Sequence, residues 1–191
     1  MTKNNLNALG AKVLVLDQHV HDLARPYADH LLMRLLSRIG KTGDQPPMLT
    51  LSAMVLATGI ASERPRMMFA GTRMIAAHLL ATGAKHLIKR RIDRERPGQV
   101  SAGKAPSPRP GEQDTKETTS FPSGHTAGAF AVARAFGRAY PEHAGKALGA
   151  AGMVAAAQVG AGKHYLTDVL TGVAIGLAAE AAVLKLAPVS R

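Results

Sequence analysis

The chain has no cysteine and no tryptophan, only four phenylalanines and three tyrosines, and few acids: 13 Asp plus Glu against 24 Lys plus Arg. Without cysteine there is no disulfide framework, no cysteine nucleophile and no thiolate metal site. The shortage of aromatic rings leaves nothing to interleave with the cations as a base-stacking platform, so a nucleic-acid partner is not expected despite the basic balance. A cleaved signal sequence is not expected either, because Asp17, His19, His21 and Asp22 interrupt the first apolar stretch. No window reaches the roughly 18 charge-free apolar residues of a clean spanning helix.

What remains is a 191-residue chain, 46% hydrophobic, with a formal charge of +11 that points to anionic partners. Strand signals are sparse and helical periodicity dominates, so an all-α fold is expected. Residues 1–47 read as an amphipathic interfacial segment interrupted near Pro26, followed by a bundle over residues 48–191. Five longer helices are expected, near Met48 to Ser62, Arg66 to Arg91, Ser123 to Gly137, His143 to Gly160 and Tyr165 to Leu186. The charge-free runs Met48 to Ser62 (15 residues) and Ala147 to Gly162 (16 residues) suit short, tilted membrane helices. Snorkelling Lys and Arg at their ends would cover the remaining mismatch, and the Ala- and Gly-rich sequences favour close helix packing. A tight soluble bundle would share that composition. If the helices alternate in direction, Met48, Arg91, Ser123, Gly162 and Tyr165 gather at one end of the bundle.

Three polar stretches fall at that end. KHLIKRRIDRERP, residues 85–97, holds six Lys or Arg in thirteen residues. As a plain helix end it would be solvated, but Lys89 and the forked Arg96 can also converge on a phosphate. SFPSGHT, residues 120–126, places Ser123 and Gly124 where a helix begins, and backbone N–H groups there attract anions. Alone, Ser123 reads first as a plain helix cap and His125 as an ordinary surface imidazole; His125 is also a suitable proton donor near neutral pH. In QVGAGKHYLTD, residues 158–168, His164 and Asp168 are four apart and share a helix face. A carboxylate on one ring nitrogen would make the other a better nucleophile.

Together, Lys89-x6-Arg96-Pro97, Pro122-Ser123-Gly124-His125 and His164-x3-Asp168 resemble, in order and spacing, the three motifs of the type-2 phosphatidic acid phosphatase superfamily. That family also includes bacterial acid phosphatases and vanadium haloperoxidases. The resemblance covers roughly Met48 to Leu186 and implies an all-α membrane bundle, with five spans where the membrane branch usually has six. It further implies a multi-pass protein of the bacterial inner-membrane kind, acting without metal or other cofactor on a phosphorylated lipid. By position, His164 would attack phosphorus, Asp168 would hold its ring, and His125 would protonate the leaving oxygen. Lys89, Arg96, Ser123 and the Gly124 N–H would cradle the phosphoryl oxygens.

One departure stands out. The family's third motif starts Ser-Arg, with the Arg six positions before the histidine, where this chain has Ala157-Gln158. Losing one preorganised donor typically costs about 3 to 4 kcal/mol of transition-state stabilisation. Lys163, beside His164, is the candidate to compensate. The resemblance thus leaves two expectations: a lipid phosphate or diphosphate phosphatase, or a weakened member that binds phosphorylated lipid or serves as a membrane scaffold.

Overall fold

A computed structural model describes residues 3–27, 30, 31, 35, 38, 40–97, 108–111 and 119–186, with side chains of the first helix from Gly10 onward. Among these residues the chain forms six α-helices: α1 (Lys3–Ala24), α2 (Gln45–Ala61), α3 (Pro65–Lys89), α4 (Gly124–Ala139), α5 (Ala144–Gly160) and α6 (Leu166–Leu186). The five helices behind α1 fall within a few residues of their expected bounds, because Pro sits in the first turn of α2 and α3 and Gly160 closes α5. A short 3₁₀ turn, Arg25–Tyr27, follows α1 at Pro26. The polar stretch after Pro97 lies mostly outside the described residues. Its described part supplies β2 (Arg109–Pro110), which pairs with β1 (Ile92–Asp93) as a two-residue antiparallel ribbon.

Helix α4 is the central element, packed by α3, α5 and α6, with α2 against α3. The core is built from small side chains, including Ala77, Ala81, Ala131, Ala135 and Ala179 around Met74. Small residues bring backbones together, and one contact sets up the site: a Cβ at Gly172 of α6 would lie 2.6 Å from the carbonyl oxygen of Ser123. Only glycine lets α6 approach the start of α4 so closely, and the Ser123 N–H then donates to the Asp168 carbonyl at 3.0 Å.

The helices alternate, so one end collects Asp44, Lys89, Ser123 and His164. At the other end Arg66 donates to both Glu142 oxygens at 2.9 Å and to the Ala139 carbonyl at 2.6 Å. By length and composition α6 is the one described helix apolar enough to cross a membrane, with a mean hydropathy of 1.8. Helices α2, α4 and α5 are shorter than 18 residues, and α3 carries Arg66, Arg73, Lys85 and Lys89. The outside of the bundle is nonetheless apolar: Leu51, Met54, Ile60, Leu79, Leu80, Leu87, Met153 and Leu170 are all exposed.

Candidate active site

The imidazoles of His125 and His164 face each other at the collected end, ring centroids 6.2 Å apart and planes inclined at 64°. His125 stands in the first turn of α4, after Ser123 at the cap position. His164 stands between α5 and α6, where the Gln158 carbonyl accepts from the backbone N–H of both Lys163 and His164. Gly162 makes this tight turn at a φ of 61°, a conformation glycine adopts without cost.

Asp168 lies one turn along α6 from His164. Its Oδ2 is 3.7 Å from His164 Nδ1, an electrostatic contact longer than a hydrogen bond. The carboxylate is fixed from other directions: Arg94 Nη1 donates to Oδ1 at 2.5 Å, and Ser120 Oγ and the Tyr165 N–H donate to Oδ2 at 3.0 and 2.9 Å. Arg94 Nη2 donates to Asp17 of α1 at 2.6 Å, and its guanidinium stacks 4.2 Å from the centre of the Tyr165 ring. Asp17 in turn accepts from the Thr167 N–H at 2.9 Å and from the Thr167 hydroxyl. Asp17, Arg94 and Asp168 are all buried. Two carboxylates around one guanidinium satisfy the pairing that buried charge requires.

Cations surround the two rings. Lys89 Nζ donates to the Thr119 carbonyl, tying the end of α3 to the segment before α4. Arg96 and Lys89 both act electrostatically on His164, and Arg96 also acts on Lys163. Lys85, one turn before Lys89, lies so close to Gly124 that a Cβ there would be 2.9 Å from its Nζ. Lys85 and Lys163 both bear on His125, whose Nε2 is held by Asp44 Oδ1 at 2.6 Å. Burial pushes the His164 imidazole below its ordinary 6.5, and Arg96 and Lys89 push the same way against the pull of Asp168. His164 is therefore neutral at neutral pH, the form with a lone pair to donate. Burial, with Lys41 and Arg96 nearby, likewise lowers Lys163, and burial raises the Tyr165 phenol.

The structure thus brings together Lys89, Arg96, Gly124, His125, Lys163, His164 and Asp168. Two other residues of the sequence reading have different surroundings. Ser123 is buried with its hydroxyl 3.0 Å from Thr126 Oγ1. Gln158 is fully buried, its Nε2 donates to the Gly40 carbonyl at 3.2 Å, and its Oε1 finds no hydrogen-bond partner among the described residues. Asp17, Asp44, Lys85, Arg94 and Ser120 were not singled out from sequence. Lys85 had a readable signal in its i,i+4 spacing to Lys89; Asp17 had only its place as a lone acid in an apolar run.

An all-α bundle that gathers two adjacent imidazoles, a buried carboxylate and several cations at one end has the chemistry to hold an anionic group. The family model of the PAP2 superfamily matches residues 70–191, and the chain belongs to that superfamily. Comparison with curated protein sequences gives no match. Among solved structures the fold is similar to Aquifex aeolicus LpxE, with a TM-score of 0.69 and 21% identity over 88% of this chain and 94% of that one. It is also similar to a transmembrane PAP2-type phosphatidylglycerolphosphate phosphatase from Bacillus subtilis, with a TM-score of 0.62 and 21% identity over 97% of this chain and 87% of that one.

Proposed function

We propose that this chain is a membrane-bound, metal-independent phosphatase that hydrolyses a lipid phosphate or diphosphate through a phosphohistidine. The observation that carries this reading is the pair of imidazoles 6.2 Å apart inside a ring of cations. That spacing suits a phosphoryl group if each ring nitrogen stands about 3 Å from a reacting atom. His164 Nε2, the nitrogen not turned to Asp168, attacks phosphorus; the bond from phosphorus to the leaving oxygen breaks; His125 gives that oxygen a proton. Water then loses a proton to His125 and attacks the phosphohistidine, the P–N bond breaks, and Nε2 recovers its electron pair. Anionic substrate displaces the Asp44 carboxylate from His125. Lys85, Lys89, Arg96, Lys163 and the first N–H groups of α4 hold the equatorial oxygens, where phosphoryl transfer concentrates charge.

Two features favour a lipid. A cavity of about 410 Å³ runs between α2, α4 and α5, lined by Met48, Leu51, Val55, Val132 and Phe136, with Thr42 at the catalytic end. It accepts an acyl or prenyl chain while the headgroup sits among the cations. On α1, Asp17 and His21 face the bundle while Val15, Leu16 and Leu23 are exposed, the pattern of a helix lying on the bilayer surface. The apolar exterior then faces lipid, and the five bundle helices span the bilayer, the short ones tilted and anchored by their terminal cations.

The test is phosphate release in detergent from a panel of lipid monophosphates and diphosphates, with and without chelator. Hydrolysis that survives EDTA and vanishes in His164→Ala, together with acid-labile phosphate on the protein that the variant cannot form, supports the reading. EDTA-sensitive turnover overturns the metal-free chemistry. Because Gln158 is tied to Gly40, a second reading is a weakened member that binds the same headgroup; it predicts lipid-phosphate binding without phosphohistidine.

A further inference from the structure

The end of the bundle remote from the two histidines carries a second group of buried charge. Glu180 of α6 is almost wholly buried, and three guanidiniums surround it: Arg73 Nη2 at 3.3 Å, Arg138 Nε at 3.6 Å and Arg134 Nε at 3.9 Å. Three positive charges against one negative leave the group at +2. Burial explains the Arg73–Glu180 pair, since neither charge could stay inside alone. It does not explain Arg134 and Arg138. These are one turn apart on α4, where like charges repel, and their side chains are 36% and 38% exposed. Both approach Glu180 through Nε, so the two-pronged Nη ends are not spent on that carboxylate.

The two arginines border a cavity of about 380 Å³ that is also lined by Phe130, Leu148, Leu177, Ala181 and Glu180. Its lining comes from α4, α5 and α6. Glu180 is twelve residues beyond Asp168 on α6, roughly 18 Å along the axis, which places the cavity toward the opposite leaflet of a bilayer spanned by this bundle. An apolar slot ending in paired guanidiniums complements a hydrocarbon chain ending in a phosphate, and arginine binds phosphate through two parallel hydrogen bonds.

We propose that Arg134 and Arg138 form a second site, separate from the histidine cup, that binds the phosphate of an anionic phospholipid whose chain lies along Phe130, Leu148 and Leu177. The site rests on the membrane-spanning part of the functional reading but not on hydrolysis. The same phosphate chemistry is offered by free inorganic phosphate, and the experiment separates the two sources.

The full chain in detergent is titrated with dioleoylphosphatidylglycerol, dioleoylphosphatidylcholine or inorganic phosphate, and its thermal midpoint is followed. Phosphatidylglycerol is a diester, so its binding is read whether or not the protein is a phosphatase. The expected result is stabilisation by phosphatidylglycerol and none by phosphatidylcholine. In Arg134→Gln/Arg138→Gln the half-saturating mole fraction rises roughly thirtyfold, taking each lost cation at the usual worth of a basic side chain at a lipid surface. His164→Ala leaves this titration unchanged while abolishing any hydrolysis, so failure of the catalytic reading and failure of this one appear in different measurements. Stabilisation that persists in the double variant, or that phosphatidylcholine matches, overturns the proposal. Equal stabilisation by inorganic phosphate, lost in the same variant, overturns the lipid as source. If the double variant does not fold, Arg138→Gln alone with Arg138→Lys as the rescuing control gives the same reading, because Glu180 keeps Arg73.

Discussion

Arg94 donates to Asp17 at 2.6 Å through one terminal nitrogen and to Asp168 at 2.5 Å through the other, so the N-terminal helix is joined by charge to the carboxylate beside His164. Removing one partner of a buried pair typically costs about 3 to 5 kcal/mol. Asp17→Ala is therefore expected to lower unfolding stability by about that much. Asp17→Asn, which keeps an acceptor for Arg94 and Thr167, should cost less. Asp17 touches no substrate in the proposed mechanism, so the catalytic loss should appear in kcat with KM nearly unchanged. Chemical unfolding and steady-state kinetics in the same detergent check both. An Asp17→Ala variant with wild-type stability and kcat would show that α1 does not support the site.

The pH dependence follows from His164. Its imidazole takes a proton less readily in the folded chain than at the ordinary 6.5, because burial and the nearby cations disfavour the charged form. Attack needs the neutral ring, so the acid limb of kcat/KM that belongs to His164 should fall below 6.5. The unfolded chain protonates this histidine first as pH drops. It follows that its contribution to stability is present above 6.5, is lost on descending through the interval down to the lowered folded value, and changes no further beneath it. Comparing the wild type with His164→Ala isolates the contribution: the variant should lose less stability across that interval. An acid limb above 6.5 assigned to His164 would contradict the burial argument.

Gln158 stands where the family's third motif has arginine, and its surroundings decide what restoring the cation would do. A Cβ added at Gly40 would lie 2.7 Å from Gln158 Nε2, so the backbone is already pressed against this amide. Lys85 and Lys163 meanwhile bring positive charge to His125. Gln158→Arg is expected to leave kcat/KM within about threefold of wild type and to lower stability by about 1 to 3 kcal/mol, the usual cost of overpacking. Phosphate-release kinetics and thermal unfolding measure the two effects. A rise of a hundredfold, the reciprocal of losing one preorganised donor, would show instead that the missing guanidinium limits turnover.

The helices were legible because their apolar runs are bounded by residues that stop or start helices: Pro46 and Pro47 at α2, Pro65 at α3, Pro141 before α5 and Gly162 before α6. The ribbon of β1 and β2 was not, since two-residue strands have no alternation to read. Within the site, Lys89, Arg96, His125, His164 and Asp168 stood out because their spacing forms a composite pattern. Arg94 did not, because one arginine in a basic run looks solvated until two carboxylates from α1 and α6 close on it. Nor did Asp17, whose partner Thr167 is 150 residues away. Sequence periodicity puts Asp17 on a helix face without saying what that face meets. The i,i+4 spacing of Lys85 to Lys89 puts it on the same helix face, but only the absence of a side chain at Gly124 shows where its amine lies.

That last contact gives a prediction specific to the cup. A methyl group at position 124 would sit 2.9 Å from both Cδ and Nζ of Lys85. Because the obstructing atoms are the far end of a flexible side chain, Gly124→Ala should fold and relieve the clash by swinging Lys85 away from His125. If Lys85 holds a phosphoryl oxygen, moving its charge should weaken substrate binding about tenfold, the scale of one charge-assisted hydrogen bond. Lys85→Gln should do the same by removing the charge directly. The two changes act on one interaction, so Gly124→Ala/Lys85→Gln should be scarcely worse than Lys85→Gln alone. KM and kcat/KM for the four proteins, with circular dichroism to confirm folding, complete the cycle. Fully additive losses would mean that alanine at 124 disturbs the start of α4 in its own right, and that Lys85 is not the side chain through which Gly124 matters.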